Sequence, residues 1–248
     1  MNEKIKNFLK ETPMIIVMVL IMGIIVIPLP DLCLEILYSA ECIFAIVIFV
    51  FSFTKLKRCL PRLVIIFSLF SLSIAIAITR VALIGYTNNS SAKLTDYFAD
   101  IICENNYVIG FAISVILFIV QVIVLKKGNH RVIEVITTKI GKEGEMLTEN
   151  DSTASEMNNE VDFYSSLDGA SKFLGGECKA LMFVLLVNLL GGIVNNFVIN
   201  HKLSFTNEIL ERCVRNFAGN NIIFYLPILI VSMALGFCVT KNFMKKNR

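Results

Sequence analysis

DFYSSLDGASKFLGGECKALMFVLLVNLLGGIVNNFVI, residues 162–199, passes from a charged polar stretch into an unbroken apolar run. Asp162, Asp168, Lys172 and Glu177 fall in its first half, and the second half is long enough to enter a bilayer. A hydrocarbon core about 30 Å thick needs roughly 20 apolar residues per helix. Backbone polar groups inside lipid must be satisfied within the segment, so such a run is read as a helix. The stretch therefore predicts a membrane helix with ionisable groups at its mouth. A carboxylate such as Glu177 can bind and release protons there. The plain alternative is a solvated, charged helix entrance.

Working outward, similar runs recur at about 14–28, 34–53, 63–84, 107–125 and 222–240. The sequence predicts an all-α polytopic membrane protein of about six transmembrane helices. Residues 1–128 form the first four spans and 129–179 one long cytoplasmic loop carrying the charged stretch. Residues 180–248 form the last two spans and a basic tail. The centre of the loop, 143–160, is acidic, rich in Ser, Thr and Asn, and expected to be flexible. Composition agrees: 56% of the 248 residues are apolar, only 17% are charged, and mean hydropathy is +0.72. The first run follows Lys4, Lys6 and Lys10 as a signal peptide would. It is longer than a typical signal core and has no small-residue cleavage site, so a retained span is expected. It stops at Pro28-Leu29-Pro30-Asp31, a strong helix break.

Charge sets the orientation. With the N-terminus inside, only Lys93, Lys202, Arg212 and Arg215 of the 23 basic residues fall in outside loops, and Arg80 falls within a run. The positive-inside rule places both termini and residues 162–177 in the cytoplasm. A net charge of +3 gives nucleic-acid binding no global support. The seven cysteines are scattered singly and the two histidines read as loop residues, so no metal cluster is expected. Nor is there a phosphate loop or nucleophile–base pair, which excludes a cofactor site and an enzyme as the reading of choice.

Among the remaining polar groups, Arg80 has two open readings: snorkelling to the outer interface, or an ion or subunit contact in a bundle. Glu35 and Glu41 are expected to be interfacial. Gln121 and Asn188 are candidates for hydrogen bonds between helices, and Gly191-Gly192 for a close helix approach.

The stretch 162–177 resembles DFYGAMDGASKFVKGD of the FHIPEP family, the export-gate proteins of flagellar and type III secretion systems (FlhA- or SctV-like). The signature residues are Asp162, Phe163, Tyr164, Gly169, Ser171 and Phe173. The resemblance runs in order along the chain. Residues 27–30 resemble the family's PLP after its first span, and Phe70 and Thr79-Arg80 fall at the spacing of its FRLALNVASTR. Asn106, Gly110, Gln121, Lys127-Gly128, Arg131 and Glu134 match NFVVG, Q and KGxERVAEV. Asn188 and Gly191-Gly192 match NLIGG. Pro227, Ser232, Gly236 and Val239-Thr240 match IPALLISTAAGLIVTR.

There are departures. Ser71 stands where the family has Arg, Ala75 where it has Asn, and Glu177 where KGD has its aspartate. The family's LDAMPGKQMAIDADL is reduced to a trace at Gly141-Lys142, and TIGDGLVAQIP has become NFAGNNIIFYLP, residues 216–227. The family also continues beyond the sixth span, so the resemblance is to a shortened member.

The resemblance implies a multi-pass protein of the bacterial inner membrane, in a homo-oligomeric ring with other export-apparatus membrane subunits, that couples proton motive force to protein secretion. It makes Asp168, Lys172, Glu177 and Arg80 the candidates for proton coupling or assembly. Two alternatives stay open: a non-exporting remnant of such a protein, and a stand-alone ion or proton-linked channel or transporter.

Overall fold

The computed structural model describes residues 3–54, 58–88, 93–104, 106–123, 138, 151–200 and 207–246. Its elements are α1 (Glu3–Val26), α2 (Asp31–Phe53), α3 (Leu60–Asn88), α4 (Lys93–Cys103), α5 (Tyr107–Ile123), α6 (Asp151–Asn200) and α7 (Asn207–Lys246). No strand occurs among the described residues. Of the basic residues that set the expected orientation, Lys55, Lys57, Lys126, Lys127, Arg131, Lys139, Lys142, Lys202 and Arg248 lie outside the described residues, as does Glu134.

Among the described residues, four helical segments are long and apolar enough to cross a membrane: Asp31–Phe53, Leu60–Ile84, Asn159–Asn195 and Glu208–Val239. α4 and α5 meet at 97° and would add a fifth, broken span. The described apolar part of α1, Ile15–Val26, is shorter than a span. Of the about six transmembrane helices expected, the fourth run is one arm of an elbow. The segment before it, read as a loop, holds the amphipathic helix α4. Glu104, with φ 39°, makes the turn. The Asn106 side chain then accepts a hydrogen bond from the Val108 N–H at 3.0 Å, capping α5.

The helix ends follow local chemistry. Proline cannot continue α1, which ends at Val26, whereas Pro30 starts α2 with φ −69° and ψ 157°. Asp31 in the first turn complements the positive helix end. α6 and α7 begin well before their apolar runs, so residues 162–177 lie within a continuous helix. So does the altered segment 216–227.

Packing follows stripes at alternating spacings of three and four residues. On α2 the stripe is Leu34, Tyr38, Glu41, Ala45, Ile48 and Ser52; on α3, Leu60, Val64, Phe67, Ser71, Ile74 and Ile78; on α6, Tyr164, Leu167, Ser171, Leu174, Cys178 and Leu181. This is the pattern by which helices present one seam to a neighbour. α3 packs most extensively on α6, and α7 packs on α2, α4, α5 and α6. Large apolar residues elsewhere face outward, including Ile36, Ile43 and Ile46 on α2 and Phe183, Val187 and Leu190 on α6. Such a belt suits a lipid surround, because lipid carries no penalty for exposed apolar groups.

Polar contacts fasten the elbow to α7. Thr95 donates to Asn220 Oδ1 at 2.9 Å, Asn221 donates to the Ser114 carbonyl at 2.7 Å, and Arg215 pairs with Asp100. Gly219 lies against the Thr95 carbonyl. At the far end of α6, Asn195 donates to the Leu83 carbonyl at 3.0 Å, and Gly191 lets Leu83 approach. Gln121 and Asn188 are buried, but the Gln121 amide nitrogen and both Asn188 amide atoms have no hydrogen-bond partner. The interhelical bonds expected of them are made by Asn195, Asn220 and Asn221.

Candidate functional site

Successive residues of an α-helix are rotated by about 100° (3.6 per turn), so the nine-residue step from Asp168 to Glu177 reverses direction. The structure shows this separation. Asp168 and Lys172 pair across one turn at 2.7 Å away from Glu177, with the Lys172 side chain 58% and the Asp168 side chain 19% exposed. Glu177 points the other way and is 4% exposed. Asp162 and Gly169 are exposed, Phe163 is half-buried, Phe173 is exposed, and Tyr164 and Ser171 are buried in the seam. The signature is thus one helix with two faces, and its charged residues do not form one cluster. A pair of this geometry with its lysine in the open contributes roughly 0.3–0.5 kcal/mol. Lys172→Ala is accordingly expected to leave the thermal midpoint in detergent almost unchanged; a loss of several degrees would contradict this placement.

Arg80 is elsewhere. Its guanidinium donates to the carbonyls of Ile25 and Val26, each at 3.1 Å, and to that of Ile27. These are orphan acceptors at the C-terminus of α1, where a cation is favoured. Within one chain, Arg80 clamps the end of α1 to α3. Beside it a cleft of about 570 Å³ is lined by Ile76, Thr79, Leu83, Ile84, Gly191 and Asn195.

The charged groups brought together inside the bundle are Glu177 and Glu41. Glu41, expected at the interface, is 0% exposed in the middle of the α2 stripe. Its carboxyl lies against Ser71 of α3. Glu177 lies against both Ser68 and Ser71 and is within electrostatic reach of Glu41. Ser68 and Ser71 are 1% and 0% exposed. No oxygen of these four side chains has a hydrogen bond of ordinary geometry. A buried hydroxyl on a helix commonly donates to the carbonyl three or four residues back. Ser73 does so, to Phe70 at 2.7 Å. Ser68 and Ser71, on the same helix, leave that option unused and face the carboxyls instead.

Glu41 and Ser68 were missed in the sequence because depth was inferred from position along a run. The available signal was facial: Glu41 stands three residues after Tyr38 and four before Ala45, in register with the large buried residues.

The site can be set beside known proteins. The FHIPEP family model matches residues 21–137 and 146–248. The flagellar biosynthesis protein FlhA of Escherichia coli K12 is 29% identical over 247 residues, covering 91% of this chain and 35% of that protein. FlhA of Salmonella typhimurium gives the same identity and coverage. MxiA of Shigella flexneri is 28% identical over 264 residues, covering 96% of this chain and 38% of MxiA. The chain thus spans a little over a third of the length of these relatives. No solved structure matches significantly. With the family model matched from residue 21 to the last residue but for a short gap, and with the signature on a buried helix seam, the chain belongs to the FHIPEP family.

Proposed function

We propose that the chain is a membrane subunit of a flagellar or type III protein export gate, and that Glu177 couples proton entry to secretion. It acts without enzymatic chemistry, as a multi-pass protein of the bacterial inner membrane with both termini cytoplasmic. It works in a homo-oligomeric ring beside other export-apparatus membrane subunits. The relatives named for flagellar biosynthesis support the setting. The observation that carries the coupling role is the burial of Glu177 against α3, at the place of the KGD aspartate in the signature. Asp168 and Lys172, paired on the outer face, and Arg80, at the end of α1, serve assembly in this reading.

The test is secretion in the native host. Glu177→Gln keeps the shape and removes the exchangeable proton, so it is expected to reduce secreted substrate to background while Glu177→Asp retains it. Unchanged secretion from Glu177→Gln overturns the coupling role. The replacement of the family arginine by Ser71 favours a second reading, a non-exporting descendant. In that case deletion of the chain leaves both secretion and motility intact.

A further inference from the structure

Two buried carboxyls that share a hydroxyl neighbour inside a helix bundle need compensation. Two like charges repel strongly at low dielectric, and an ion removed from water loses several kcal/mol of hydration. The described surroundings supply no cation. From α2 the titratable neighbours of Glu41 are Tyr38 and Cys42; from α6 that of Glu177 is Cys178. α3 contributes Ser68 and Ser71, while its arginines, Arg62 and Arg80, lie toward its two ends. α7, packed on α2 and α6, has no charged residue between Arg215 and Lys241.

The remaining donors are two hydroxyls and whatever protons the acids carry. Glu177 has two hydroxyl neighbours and Glu41 has one. An ionised carboxylate needs several donors, and a protonated carboxyl supplies one itself. Two hydroxyls and one acid proton can be arranged around a single anionic carboxylate. With no acid proton, two anions share two hydroxyls.

We propose that Glu41 and Glu177, with Ser68 and Ser71, form one paired-carboxyl site that holds a single proton between its two acids. Glu41 is its second member, and the two hydroxyls are the donors available to whichever carboxyl is ionised. Release of that proton leaves two anions, and uptake of another neutralises the pair. The site therefore couples α2 to α6 through one exchangeable ion. Its role in export rests on the coupling assigned to Glu177 above; the pairing rests on the burial of both acids, their unpartnered oxygens and the Ser71 hydroxyl they share.

The test is an infrared titration of the carboxyl C=O stretch, on the full chain reconstituted in liposomes, in H2O and D2O. Wild type, Glu41→Gln and Glu177→Gln are compared. Groups that interact strongly titrate as a pair. The expected result is that the two single-variant curves, added together, fail to reproduce the wild-type curve, with midpoints displaced by more than about one pH unit. Curves that simply add overturn the pairing. Should a glutamine variant not fold, Ser71→Ala gives the same decision. It removes the hydroxyl shared by both acids and is expected to displace both steps, and an unmoved titration overturns the proposal. Loss of the coupling role in secretion would leave this result untouched, and independent titration of the two acids would leave the secretion result untouched.

Discussion

Gly219→Ala is expected to lift α4 off α7. A Cβ at this position would lie 3.0 Å from the Thr95 carbonyl carbon and inside the contact radius of its oxygen. A third obstructing atom, Thr95 Cγ2, is side chain, but the two carbonyl atoms are backbone, so no side-chain rotation relieves the clash. The helices must separate, and that breaks the Thr95–Asn220 hydrogen bond and strains the Asp100–Arg215 pair. Overpacking costs typically about 1–3 kcal/mol. The lost buried hydrogen bond adds roughly 1 kcal/mol. The expected readout is a lowered thermal midpoint in mild detergent and new maleimide labelling of Cys103, which is 0% exposed in the native packing. A Gly219→Ala chain with an unchanged midpoint and an unlabelled Cys103 would show that α4 does not dock as described.

Arg80→Ala should have a comparable effect at another corner. It removes every donor that Arg80 gives to the carbonyls of Ile25, Val26 and Ile27. Hydrogen bonds from a charged donor contribute about 1.5–3 kcal/mol each and are not additive where acceptors are adjacent. A net loss of about 3 kcal/mol is expected, with α1 released from α3. Arg80→Lys retains the charge but not the planar fork that reaches several carbonyls, and should restore only part of the loss. Protease cleavage between Val26 and Asp31 is the measurement: rapid in Arg80→Ala, intermediate in Arg80→Lys, slow in the native chain. Equal rates in all three would mean that the clamp contributes nothing.

Hydropathy located the α2 and α3 runs and the proline break well, because those helices begin and end near their apolar residues. It did poorly where a helix continues beyond the apolar stretch. α6 runs from Asp151 to Asn200 and α7 from Asn207 to Lys246, yet only 180–199 and 222–240 stood out. The polar turns before each run keep helical spacing while facing their neighbours, and an average over a window does not register that. α4 was hidden for the same reason: its buried residues, Thr95, Ala99, Ile102 and Cys103, occupy one face of a short polar helix. The candidate site divided similarly. Glu177 stood out from the signature. Glu41 did not, because a lone carboxylate in an apolar run looks shallow until its turn of helix is matched to its neighbours.

α6 is one uninterrupted rod, and it carries two charge systems on opposite sides. Asp168 and Lys172 occupy its outward side, and Glu177, about 14 Å further along the axis at 1.5 Å per residue, its inward side. A rigid rod cannot turn one end without turning the other. Any roll that swings Glu177 away from α3 toward the surroundings carries Asp168 and Lys172 inward by the same angle. The two faces are therefore geared in opposite senses.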